Sequence, residues 1–149
     1  MIAIASDHGG IELKEAVKRC LDGRGIAFHD FGVFNDDSVD YPDFGALVAG
    51  TVSRGEMTQG ILICGTGIGM SIVANKFPGV RAALVHDEFT ARMAKEHNDA
   101  NIIVLGGRVL SPEMGCRLVG IWFDAVFEEG RHQKRLDKIA LIEKELGQG

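Results

Sequence analysis

Short, unbroken apolar runs alternate along the chain with longer stretches whose apolar positions recur every three or four residues. Ile2–Ala5 is a run of the first kind and predicts a strand buried on both faces. Ile11–Arg24 is of the second kind: Leu13, Ala16, Val17, Cys20 and Leu21 fall on one helical face, and Gly23 and Gly25 end it. Ile26–Phe31 predicts a second strand, followed by a polar loop over Asn35–Pro42. Pro42 suits the first turn of a helix whose apolar face is Phe44, Leu47, Val48 and Val52. Ile61–Cys64 is the third strand. A glycine-rich turn separates it from a helix over Ile68–Asn75. Ala82–Val85 and Ile102–Leu105 are the fourth and fifth strands, with a helix at Glu88–Glu96 between them. Ser111-Pro-Glu opens a helix that continues through Met114–Phe127, and a last helix spans His132–Leu146.

Strands bounded by helices, and apolar along most of their length, predict an α/β fold with a parallel sheet covered on both faces. Ligands on such sheets bind at the carboxyl ends of the strands. Three motifs share that address: Asp7-His8-Gly-Gly10, Cys64-Gly-Thr-Gly-Ile-Gly69 and Gly106-Gly-Arg108. His97-Asn98 ends a helix instead, so it comes from another direction.

Composition narrows the picture. A chain of 149 residues with no linker or repeat predicts one domain over residues 1–149. The net charge of −5 disfavours nucleic acid and anionic membrane as general partners. Cys20, Cys64 and Cys116 are odd in number and lack metal-type spacing, which points to reduced thiols rather than a disulfide framework or zinc site. Cys20 and Cys116 fall within helical patterns and read as core. The stretch Met1–His8 has no basic region and meets charge too early for a signal peptide, and no apolar run approaches a membrane span; the cytoplasm is the expected location.

The candidate chemistry centres on Cys64. A buried strand here delivers a thiol to the mouth of a glycine turn, and backbone N–H groups at a helix start stabilise a nearby anion, a thiolate included. The turn is a poor nucleotide loop. No Gly-Lys-Ser/Thr follows it, and the dinucleotide spacing and its acidic partner are missing. A smaller anion, or an oxyanion formed during reaction, suits it better. Asp7 and His8 either cap a helix or approach a polar ligand, and the two roles are compatible. His97 is either a residue favourably placed against a helix dipole or an acid/base group. Arg131 and Arg135, four residues apart, share a face that suits a phosphate or simply meets solvent.

Taken together, Ser6-Asp-His-Gly-Gly10, Asp40-Tyr-Pro-Asp43, Cys64-Gly-Thr-Gly-Ile-Gly-Met-Ser71, Asn75-Lys76, His97-Asn-Asp-Ala-Asn101, Gly107-Arg-Val109 and Gly130-Arg-His-Gln133 resemble the ribose-5-phosphate isomerase B family and its galactose-6-phosphate isomerase relatives. Cys64 and Met70 match its cysteine-base branch; other members carry a glutamate at the position of Met70. The resemblance implies a Rossmann-like three-layer α/β/α sandwich with a five-stranded parallel sheet. It implies an aldose–ketose isomerase of phosphorylated sugars without metal or cofactor. It also implies a homodimer or dimer of dimers with sites at the subunit interface, the terminal arginines serving the neighbouring subunit.

Residue by residue, the resemblance implies Cys64 as the base and His97 in ring opening with Asp7 nearby. Gly65, Thr66, Gly67, Ile68 and Gly69 would supply enediolate donors. His8, Arg108, Arg131 and Arg135 would hold phosphate, and Tyr41 and Asn98 would contact sugar hydroxyls. Asn75 and Lys76 would shape the loop. Ribose 5-phosphate is the expected substrate. Allose 6-phosphate, galactose 6-phosphate and a tetrulose phosphate are alternatives, as is a non-catalytic sugar-phosphate sensor.

Overall fold

The computed structural model describes residues 1–147; the last two residues of the expected domain, 148 and 149, lie outside the described residues. The strands are β1 (Ile2–Ser6), β2 (Phe28–Asp30), β3 (Gln59–Cys64), β4 (Ala82–Leu84) and β5 (Ile102–Gly106). The helices are α1 (Ile11–Gly23), α2 (Tyr41–Ser53), α3 (Ile68–Ala74), α4 (Glu88–Glu96), α5 (Pro112–Asp124) and α6 (Arg131–Glu145). A 3-10 turn, His8–Gly10, joins β1 to α1. The five strands form one all-parallel sheet in the order β2-β1-β3-β5-β4, flanked by helices, as the alternating pattern predicts.

Each strand's alternation divides the core into two layers. Ile2, Ile4, Ile61, Ile63, Ile103 and Leu105 face α1, α4 and α5, where Leu13, Val17, Leu118 and Trp122 complete the cluster. Ala3, Ala5, Leu62, Cys64, Ile102 and Val104 face α2 and α3, against Val48, Ala49, Met70 and Ala74. The Trp122 indole is fully buried, and its Nε1–H donates to the Ala100 carbonyl at 3.0 Å. The Lys95 ammonium lies 4.8 Å from its ring centroid.

Element boundaries follow local chemistry. Ser111 caps α5 by accepting from the Met114 N–H, so the helix begins at Pro112 as the Ser-Pro-Glu signal predicts, and it ends at Asp124, short of the expected Phe127, where Ala125 turns extended. Asp87 and Thr90 form a reciprocal capping box at the start of α4. The predicted strand Ile26–Phe31 shortens to Phe28–Asp30, because β2 is an edge strand paired only with Ile2–Ile4 of β1.

One expectation is overturned. Cys20 and Cys116 are not reduced core thiols; they form a disulfide, with their Cα atoms 6.1 Å apart. The cause is packing. α1 and α5 lie side by side on one sheet face, where Leu13 sits so close over Gly115 that no side chain would fit there. Cys20 and Cys116 thereby face each other across a sequence separation of 96 residues. Cys64 is the free cysteine among the described residues, and it is buried.

The loop after β2 is pinned from α1. Lys14, fully buried, donates to Asp30 Oδ1 at 2.8 Å and to the Val33 carbonyl at 2.6 Å. Lys18 pairs with Asp30 Oδ2 at 2.9 Å, and the Gly32 N–H reaches Asp30 Oδ1. Burial alone would raise the Asp30 carboxyl, but the hydrogen bonds from Lys14, Lys18 and Gly32 outweigh it and hold the group below its ordinary value.

Candidate active site

Three strand ends converge on Cys64. The Asp7 N–H donates to the Ile63 carbonyl at 3.2 Å, tying the loop after β1 to the end of β3. The Gly107 N–H donates to the Cys64 carbonyl at 2.8 Å, and the Arg108 N–H to the Gly65 carbonyl at 2.9 Å, tying in the loop after β5. Cys64 itself is the last residue of β3, and its Sγ accepts from the Gly67 N–H at 3.2 Å. That hydrogen bond strengthens whenever the sulfur carries negative charge.

The turn owes its shape to two glycines. Gly67 has φ +83°, a left-handed conformation that glycine adopts without steric cost, and it caps α3 in that state. Gly69 lies under the Tyr41 ring, with no room for a side chain between them. This contact brings Tyr41, the first residue of α2, onto the glycine turn. Within the turn, the Ile68 N–H donates to Thr66 Oγ1 at 3.2 Å. With the Gly67 amide on sulfur, the amides of Gly65, Thr66 and Gly69 are the candidate donors to a reacting oxygen.

Asp7 and His8 are placed by equally local bonds. Asp7 Oδ1 accepts from the Gly9 N–H at 2.9 Å and so caps the 3-10 turn. The His8 Nδ1 accepts from the Val39 N–H at 3.2 Å. This bond puts the neutral ring's proton on Nε2, the nitrogen left to donate to a ligand. Arg108 is exposed beside Gly65. This rim therefore unites Asp7, His8, Tyr41, Cys64, the Gly65–Gly69 turn and Arg108.

The remaining predicted residues are elsewhere. α4 returns antiparallel to the strands, so its end lies at their amino-terminal edge. There the Asn98 carbonyl accepts from Arg81, just before β4, and the Asn101 carbonyl accepts from Gly60, near the start of β3. Cys64 is four residues further along β3, about 13 Å away at ~3.3 Å per residue. His97 and Asn98 thus do not meet Cys64 or Asp7 within one chain. α6 joins this second rim: the His132 ring stacks on His97, with centroids 4.0 Å apart. Arg131 and Arg135 are exposed, while His132 and Leu136 of the same helix are buried.

Sequence reasoning missed two members of the second rim. Glu128 Oε1 lies 3.3 Å from His97 Nε2 and 4.0 Å from His132 Nε2. Burial, then the positive charge of His97, Arg131 and Arg135, lowers the His132 pKa against the opposing pull of Glu128. The four-residue spacing of Glu128 and His132 is the one signal in the sequence that could have linked them.

Comparison with known proteins places the chain in the sugar-phosphate isomerase class. Residues 2–139 match the family described as Ribose/Galactose Isomerase, and the chain belongs to that family. Among solved structures, ribose-5-phosphate isomerase B from Clostridium thermocellum is 50% identical, with a TM-score of 0.95 over 97% of this chain and 98% of that one. Ribose-5-phosphate isomerase B from Mycoplasma genitalium, with bound ribulose-5-phosphate, is 44% identical, with a TM-score of 0.93 over 97% and 96% of the two chains. A relative from Pectobacterium atrosepticum named D-erythrulose-4-phosphate isomerase is 40% identical, over 95% of this chain and 94% of its own.

Proposed function

We propose that the protein interconverts ribose 5-phosphate and ribulose 5-phosphate through a cis-enediolate, at a site assembled from two copies of the chain. The observation that carries this reading is the Cys64 sulfur, held by the Gly67 N–H at the mouth of the turn. The substrate class is supported by the Mycoplasma genitalium relative with bound ribulose-5-phosphate.

His97 from a second copy opens the sugar ring: it protonates the ring oxygen as the C1 hydroxyl loses its proton, leaving an aldehyde. The Cys64 thiolate then takes the proton from C2. Negative charge develops on the C1 oxygen and is met by the free turn amides, with Thr66 beside them. The C2 hydroxyl proton passes to the C1 oxygen, the Cys64 thiol returns its proton to C1, and the ketose forms with the thiolate regenerated. His8 Nε2, Arg108 and the second copy's Arg131 and Arg135 hold phosphate and so orient the reacting carbons. Tyr41 and Asn98 contact hydroxyls. Apolar side chains left exposed on α6, Ile139, Leu141 and Ile142, offer the second copy a surface to cover.

A panel of tetrose, pentose and hexose phosphates, compared by kcat/KM, tests the reading. The expected preference is ribose 5-phosphate. The relative named for D-erythrulose 4-phosphate gives a specific second reading, which a higher kcat/KM on the tetrulose phosphate would establish. Turnover of none of them would defeat both.

A further inference from the structure

The second rim carries a cluster of which the proposed isomerase reaction uses only His97. The side-chain donors of His97, Glu128 and His132 all lie within 4.8 Å of one another. Two imidazole nitrogens and one carboxylate oxygen are the donor set of three-ligand zinc sites that keep a fourth position open. With metal–ligand bonds of about 2.0–2.1 Å, tetrahedral donors stand about 3.3 Å apart. The His97–Glu128 pair already has that separation, at 3.3 Å, and the Glu128–His132 pair is wider at 4.0 Å.

We propose that His97, Glu128 and His132 form a binding site for a zinc-class transition-metal dication, and that its occupancy inhibits the isomerase. Closing the third edge requires His97 to tilt off the His132 ring, since stacked imidazoles do not aim at one point. Exposure permits this: the His97 side chain is 36% exposed and Glu128 50%, while His132 at 7% is the fixed wall. Imidazole selects zinc, cobalt or nickel over magnesium. Glu128 contributes the compensating charge, and Arg131 and Arg135, whose charges are felt at His132, oppose the cation and keep affinity moderate. Inhibition follows because a metal on His97 Nε2 occupies that nitrogen. This consequence rests on the assignment of His97 to ring opening; the binding does not.

The competing ligand is the Cys64 thiol, since Cys20 and Cys116 are joined. Calorimetric titration of the full chain with ZnCl2 separates the two. Wild type and Cys64→Ser should each bind one zinc per chain. Glu128→Gln and His132→Gln should bind about 100-fold more weakly, the upper end of what loss of a mere outer partner costs a metal site. MgCl2 should give no heat. CoCl2 should produce visible bands without the near-ultraviolet transition of a cobalt–thiolate bond. Activity, referred to each variant's own metal-free rate, should fall with the same half-saturation as binding. Loss of zinc binding in Cys64→Ser, or unchanged binding in both Glu128→Gln and His132→Gln, overturns the site. Zinc binding at the triad without loss of rate upholds the metal site and removes His97 from ring opening.

Discussion

Cys64 sits where a strand that must be apolar to enter the core gives way to a turn that must be glycine to bend. Both demands come from packing, and together they leave the sulfur at the end of the apolar layer with the Gly67 amide as its hydrogen-bond donor. Replacing it tests the base directly. Cys64→Ala should lower kcat by about 10³-fold, within the 10²–10⁴ range for a positioned base, while substrate still binds; stopped-flow and equilibrium binding separate the two. Gly69→Ala is a test of placement. The added methyl has no room beneath Tyr41, so this variant should lose about 1–3 kcal/mol of stability to overpacking, measured by urea unfolding. Arg135→Ala should raise KM by about 10- to 100-fold with little change in kcat, the worth of a charge-assisted hydrogen bond to phosphate.

At the scale of elements, periodicity in the sequence made the helices and strands legible, because each pays for burial on a defined face. The disulfide was not legible. Cys20 and Cys116 look like two more core positions on two helices, and only the side-by-side packing of α1 and α5 makes them neighbours. Cross-linking a span this long removes unfolded-state entropy, so Cys116→Ser should cost about 2–4 kcal/mol of stability, with activity kept. Reduction of the wild type should reproduce the loss in a thermal melt. The Asp30 cluster predicts an acid dependence. Its carboxyl is held below its ordinary value of 3.8 in the folded chain, so its contribution is complete above that value and lost as pH falls through the folded one. Chemical unfolding from pH 6 downward should therefore show stability falling below about pH 4, and falling less in Asp30→Asn.

For the whole molecule, the sheet order and the direction of α4 decide what one chain can do. The motifs after β1, β3 and β5 were recognisable as one address because parallel strands end together. His97-Asn98 was recognisable as an outsider, since it follows a helix. How far outside depends on the return of α4 to the far edge of the sheet, which residue patterns do not encode. A mixing experiment uses this directly. Cys64→Ala and His97→Asn chains should each be inactive alone. For the proposed site shared between two copies, reassociation at equal amounts gives one half mixed pairs, each with one of its two sites intact, so about one quarter of wild-type activity should return. No recovery would defeat the site shared between two copies.

The molecule also carries its own optical gauge. Trp122 is the single tryptophan of the chain, and its indole N–H is bonded to the Ala100 carbonyl, three residues beyond His97. The chain's indole emission therefore originates from one buried place, beneath the segment that bears His97. Whatever shifts that segment, whether substrate, a second copy or a bound cation, should alter the colour of the emitted light before any product is formed.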